Sequence, residues 1–296
     1  MLTRRRFIAI SAALAPTMAL PDTGIHVETG MALGAKVTLR LGHPEAARLA
    51  AQAMAEIRRL EAIFSLYLPD SALSRLNREA KLDAPPFELL DCLSIAGAVH
   101  HASGGRFDPT VQPLWAAYAM ATERGRPLTD AERDQALART GWQGVILTPG
   151  TITLRPGMAL TLNGIAQGYI ADRVAALLAE QGLTRALIDT GEMVALPDGS
   201  WPVRLADREL ALRNRALATS APLGMTFGGD GVTSHILNPG TGRPALPRWR
   251  AVSVSAPAAA LADALSTAAC LIENEPDLAA LCDQFSGATI ESAVSL

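Results

Sequence analysis

The sequence predicts an α+β domain, and three observations carry that reading. Apolar residues recur at helical spacing in some segments and at every second position in others, and the two patterns follow one another without a regular strand–helix–strand beat. With 296 residues and 49% hydrophobic content the chain can bury a sizeable core. No internal repeat, low-complexity tract or linker divides it, so one domain over residues 20–296 is expected behind a short N-terminal segment.

That segment reads as an address. Arg4, Arg5 and Arg6 precede an apolar run from Ile8 to Leu20 that is too short to span a bilayer and ends in small residues around Ala15 and Ala19. It resembles a twin-arginine export signal over residues 1–19, which would put the mature protein in the periplasm; an Arg-capped first helix of the domain is the alternative. No cysteine follows the run to carry a lipid, and no later stretch reaches about 18 consecutive apolar residues, so no transmembrane segment is expected in the mature protein.

After a leader at 21–30, the stretch Ala35–Leu41 sets Val37, Leu39 and Leu41 against Lys36, Thr38 and Arg40, the alternation of a half-buried strand. Pro44 opens a helix with an apolar face of Leu49, Ala53, Ile57, Leu60 and Phe64, and a turn at 67–71 leads into a shorter helix ending near Asn77. Residues 87–102 form a buried helix stopped by Gly104 and Gly105, and Thr129 with Glu132 makes a capping box for a helix to about Thr140. The period then changes. Val145–Thr148 and Ile152–Arg155 read as a hairpin around Pro149-Gly150, with Met158–Leu162 a third short strand. A helix over 164–181 has Gly182 in the position that favours positive φ, strands follow at 186–189, 202–205 and 252–256, and helices at about 260–271 and 276–284 close the chain.

Composition excludes several function classes. The formal charge is −3, and removing residues 1–19 with their three arginines leaves 23 basic against 29 acidic side chains, so no polyanion-binding surface and no nucleic-acid partner are expected. Aromatic residues at 4% leave few stacking platforms. Only Lys36 and Lys81 carry amines. Cys92, Cys270 and Cys282 follow no CxxC spacing and read as packed or free thiols, with a Cys270–Cys282 disulfide as the alternative.

Three constellations carry chemistry. At Thr161-Leu162-Asn163-Gly164-Ile165-Ala166-Gln167-Gly168 a strand turns through glycine into a helix whose free N–H groups suit a phosphate, or else the glycine serves packing alone. His235, between Ser234 and Asn238 with Gly-rich turns on both sides, is the histidine best placed for a ligand, as general base or phosphate contact; satisfaction by backbone carbonyls is the alternative. Asp263 and Thr267, four apart on one helix face, offer hard oxygens to Mg²⁺, or else form an N-cap and a solvent-facing hydroxyl.

Several further segments join these in order. Leu33-Gly34-Ala35, the block Phe64–Asn77, Gly104-Gly105-Arg106-Phe107-Asp108-Pro109-Thr110-Val111-Gln112-Pro113-Leu114, Ala218-Thr219-Ser220, the His235 loop and Ala262–Ala268 together resemble the FAD:protein FMN transferase (ApbE-like) family over nearly all of the mature chain. The resemblance implies a single α+β domain with a mixed, mainly antiparallel sheet and packed helices. It implies Mg²⁺ as cofactor and FAD as substrate, with FMN moved to a Ser or Thr of an extracytoplasmic acceptor protein and AMP released. It assigns Asp263, Thr267 and the Gly164 carbonyl to Mg²⁺; Asp263 and, from its own loop and not from the resemblance, His235 are the catalytic candidates. Leu33, Tyr67, Arg106, Phe107, Asp108, Thr161, Gln167, His235 and Ile236 would line the FAD site.

Two positions depart from the family pattern. Thr161 and Gln167 stand where many members carry an acid and a lysine, which removes a cation near the phosphates but leaves polar groups. An FAD pyrophosphatase, with water as acceptor, and an FAD-binding electron carrier without transferase activity are the competing functions. The tail Asp283-Gln284-Phe285-Ser286-Gly287-Ala288-Thr289 also resembles the acceptor motif that this family modifies, which would make Thr289 a self-flavinylation site; a closing strand from Ala288 onward is the alternative.

Overall fold

The computed structural model describes residues 24–229 and 231–296, so the expected export signal lies outside the described residues. The chain runs β1 (His26–Ala32), β2 (Ala35–Leu41), α1 (Ala46–Phe64), α2 (Ala72–Glu79), β3 (Lys81–Asp83), α3 (Phe87–Ala102), α4 (Gln112–Glu123) and α5 (Asp130–Leu137). It continues with β4 (Val145–Thr148), β5 (Thr151–Leu154), α6 (Ala166–Glu180), β6 (Ala186–Asp189), β7 (Met193–Ala195), β8 (Trp201–Arg204), β9 (Glu209–Leu212) and β10 (Arg215–Ser220). The last elements are β11 (Trp249–Ala256), α7 (Ala259–Ala269), α8 (Glu275–Cys282) and β12 (Thr289–Ser295). Among the described residues no helix is long and apolar enough to cross a membrane.

Seven strands form one sheet in the order β1-β2-β6-β7-β10-β11-β12, every neighbouring pair antiparallel. Alternation along the strands sorts its two faces. Val37, Leu39, Leu41, Ile188, Val194 and Ala216 join the main core with α1, α6 and α7, whereas Leu187, Ala195 and Leu217 point the other way and pack under the β8–β9 hairpin against Trp201, Val203 and Leu212. The α1 face read from sequence is buried, and each of Leu49, Ile57 and Leu60 contributes about 2 kcal/mol of transfer free energy. A second small sheet, β3-β5-β4, packs with α2 at the edge of this core.

Four differences from the sequence reading have physical causes. The expected leader is in part a strand: His26–Ala32 pairs with β2 through a two-residue turn at Leu33-Gly34, both at positive φ (49° and 78°). Leucine rarely opens such a turn, so the usual Asn-Gly signal is missing. The third strand expected at Met158–Leu162 does not form, because the Asn77 amide takes its place: Nδ2 donates to Leu160 O (2.8 Å) and Oδ1 accepts from Leu160 N (2.7 Å). Strand β10, central in the large sheet, escaped notice because Arg-Ala-Leu-Ala-Thr-Ser carries little β-branched bulk. The α4 helix was also missed, beginning just after the Asp108-capped 3₁₀ turn at Pro109–Val111. Cys92, Cys270 and Cys282 are buried free thiols, as expected, and no disulfide joins Cys270 to Cys282.

Candidate active site

Nine of the residues flagged in the sequence line one cleft, where α6, α7 and the ends of β6, β7 and β10 converge. A cleft of about 470 Å³ runs from α7 past Asp189, Glu192 and Thr219 to the sheet face that carries Lys36, Thr38 and Arg40. Arg106, Asp108, Thr161, Gly164, Gln167, His235, Ile236, Asp263 and Thr267 all line it. Leu33 and Tyr67 do not. They line a smaller adjoining pocket that shares Asn163 and Gln167 with the cleft. Phe107 lines neither; it is buried, with its ring against Gly164.

The helix pair at the cleft is assembled by backbone contact. A Cβ on Gly168 would fall 2.3 Å from Ala259 O, so α6 and α7 meet at a distance only glycine permits. Asp172 of α6 accepts from Ala259 N (2.7 Å) and Ala260 N (2.9 Å) and so caps α7 from the neighbouring helix. Asp263 is therefore not the N-cap of its own helix. It lies one turn further in, 3% exposed, where Gly168 N donates to Oδ2 at 3.4 Å. Thr267 follows one turn later beside Gly164, and Ser220 at the end of β10 bonds both Ser266 Oγ (2.7 Å) and Thr267 Oγ1 (3.3 Å). These hydroxyls fasten α7 to the sheet.

The anion cradle expected at the α6 start is largely used up. Ile165 and Ala166 N–H groups donate to Leu162 O, and Gly168 N–H serves Asp263. Gln167 Nε2 donates to Thr190 O (3.1 Å) while Thr190 Oγ1 donates to Gln167 O (2.8 Å), pinning α6 to the β6–β7 turn. Asp108 Oδ1 accepts from Thr110 N and Thr110 Oγ1, so it shapes the loop beneath the cleft. Arg106 Nη1 donates to Ser103 O (3.0 Å).

Burial raises the Asp263 carboxyl well above its ordinary range, and the charge of Asp172 adds to this. Glu192, also in the cleft, is raised by burial and by Asp263. Among the described residues no basic side chain offsets either. Among the described residues no group of three His, Cys, Asp or Glu side chains could hold a metal, so a cation here would draw on a carboxylate, the Thr267 hydroxyl and the Gly164 carbonyl. Such hard oxygens around a charge with one long N–H contact fit a hard divalent ion. Glu192 was missed in the sequence; its signal was an acid after Gly191 inside an otherwise strand-like stretch.

His235 faces the cleft from the opposite wall. Its Nδ1 lies 2.9 Å from Met225 O and 3.3 Å from Pro222 O. Only an Nδ1–H can satisfy carbonyls, which leaves Nε2 as the lone-pair nitrogen. Burial lowers its pKa, so the ring is neutral near pH 7. Thr289 lies away from these groups: it is the exposed first residue of β12, paired with Ser255 of β11.

The ApbE family model matches residues 31–289. A curated FAD:protein FMN transferase of Klebsiella pneumoniae (strain 342) is 30% identical over 245 residues, covering 76% of this chain and 75% of its own. Its counterpart in Treponema pallidum (strain Nichols) is 30% identical over 262 residues, with coverages of 77% and 72%. Among solved structures, the apo flavinyl transferase ApbE of Pseudomonas stutzeri superposes with a TM-score of 0.77 at 25% identity, covering 94% of this chain and 97% of that one. The ApbE protein of Thermotoga maritima gives 0.81 at 24% identity, covering 90% and 94%.

Proposed function

The chain belongs to the ApbE family, and from that premise we propose that it is an FAD:protein FMN transferase that uses Mg²⁺ to move FMN from FAD to a Ser or Thr hydroxyl of an extracytoplasmic protein. The observation that carries this reading is the meeting, in one cleft, of buried Asp263, the Gly164–Thr267 contact and a neutral His235 whose acceptor nitrogen is free of the carbonyls. The Arg-rich leader supports the periplasmic location.

Asp263, Thr267 and the Gly164 carbonyl would hold Mg²⁺, which neutralises charge developing on the pyrophosphate. Leu33, Tyr67, Arg106, Thr161, Gln167 and Ile236 would bind FAD along the cleft and its side pocket, with Asp108 and Phe107 supporting the wall. The acceptor oxygen attacks the FMN-side phosphorus, the bond to the AMP phosphate oxygen breaks, and His235 Nε2 takes the hydroxyl proton. Incubation with FAD, Mg²⁺ and an acceptor peptide, read by mass spectrometry, tests the proposal: flavin on the peptide supports it. Free FMN plus AMP points to a pyrophosphatase, and intact FAD to a binding protein.

A further inference from the structure

Glu192 is 8% exposed, yet among the described residues it has no lysine or arginine partner and receives one hydrogen bond, from Thr219 N to Oε2 at 3.2 Å. None of the described residues donates to its Oε1. The residue lines the same cleft as Asp263, and each carboxylate has a single backbone N–H for company. Its backbone is held in place: Thr190 N donates to Glu192 O (3.0 Å), and Gly191 at φ 105° packs on the Gln167 amide, while the carboxylate reaches Thr219 N, next to the Ser220 hydroxyl that bonds Ser266 and Thr267 of α7. Two desolvated carboxylates in one cleft repel one another, and burying such charges without a counter-charge costs several kcal/mol. A fold that keeps both is matched to something positive arriving between them.

We propose that Glu192 is the second acidic group of the cation site, its unpartnered Oε1 facing the ion held at Asp263 and setting the site's charge at two negatives, the complement of one divalent cation. This rests on the cation reading of the cleft given above. Glu192 acts as a positioning residue and not as a proton donor or acceptor in the transfer.

The test is cation binding by the full chain without FAD, measured as the Kd for Mn²⁺ by the loss of its free electron-spin signal and for Mg²⁺ by competition. Glu192→Gln keeps the acceptor for Thr219 N and removes the charge. Its Kd should be about 10- to 100-fold weaker, the range typical of lost groups around a bound metal. Without cation it should melt no lower than wild type, since one of two repelling charges has gone. A Kd within about twofold of wild type, or an unfolded Glu192→Gln protein, overturns the proposal, because a buried structural acid predicts those results. Asp263→Ala is the control: if it still binds Mn²⁺ like wild type, the cation site itself is misassigned, an outcome separate from failure of the Glu192 variant alone.

Discussion

The Thr267 hydroxyl lies 2.8 Å from the point where a side chain on residue 164 would begin. The loop before α6 and the second half of α7 are thus in contact at the point proposed to bind the cation. Gly164→Ala must push Thr267 Oγ1 aside and break its bond to Ser220. We expect a small loss of stability, about 1 kcal/mol, together with a clear loss of Mg²⁺ affinity. Thermal melting and Mg²⁺ titration of the same preparation separate the two effects.

Asp263→Ala should abolish Mg²⁺-dependent turnover and leave the fold intact. The pH dependence has a defined sign. Asp263 and Asp172 are easier to protonate when folded than when unfolded, Asp172 rising from 3.8 to about 6. Each therefore favours the fold most at low pH and loses that contribution as pH rises through its folded pKa. Metal-free protein should lose stability from pH 3.8 upward, through about 6 for Asp172 and further for Asp263. Saturating Mg²⁺ should flatten the upper part of that slope in wild type and not in Asp263→Ala, as followed by urea midpoints.

His235→Asn keeps a donor near the Nδ1 position for Met225 O and removes the acceptor at Nε2. Transfer should fall about 10²- to 10⁴-fold, with FAD binding little changed. Its lowered pKa makes the folded protein resist protonation there, so wild type should lose stability as pH falls below 6.5 and the variant should lose less. Rapid-quench assays and denaturation across pH check both statements.

Gln167→Lys introduces a cation where the cleft and the side pocket meet. FAD should bind more tightly, with the gain shrinking as salt rises. Flavin fluorescence titration at two ionic strengths reads this. An unchanged Kd would mean that residue 167 does not face the pyrophosphate.

The tail forms the closing strand, with Thr289 hydrogen-bonded into the sheet beside Ser255. To reach any cleft the start of β12 would have to leave β11. Intact-mass analysis after incubation with FAD and Mg²⁺ should accordingly find no FMN on wild type, in a preparation active on a separate acceptor. An FMN-sized gain absent from Thr289→Ala would establish self-modification.

Local signals in the sequence carried far where the chain's neighbours are its own. The α3 helix and the β2 strand fall on their expected bounds, and the capping box at Thr129 and Glu132 forms. The spacing of Asp263 and Thr267 was legible for the same reason. What escaped depends on distant partners. Asn77 replacing a strand at Leu160, Asp172 capping another helix and Glu192 reaching Thr219 N are all set by tertiary contact. No periodicity encodes them. The two pockets also divide the proposed FAD residues in a way that motif order alone does not reveal.

The approach of α6 to α7 at Gly168 and Ala259, sealed by Asp172, has a kinetic consequence. Backbones in van der Waals contact with shared hydrogen bonds cannot slide or hinge without breaking several interactions together. The wall bearing Asp263 and Thr267 is thus an anvil, already shaped before any nucleotide arrives. Whatever movement admits FAD would leave Asp263 and Thr267 in fixed relation to α6.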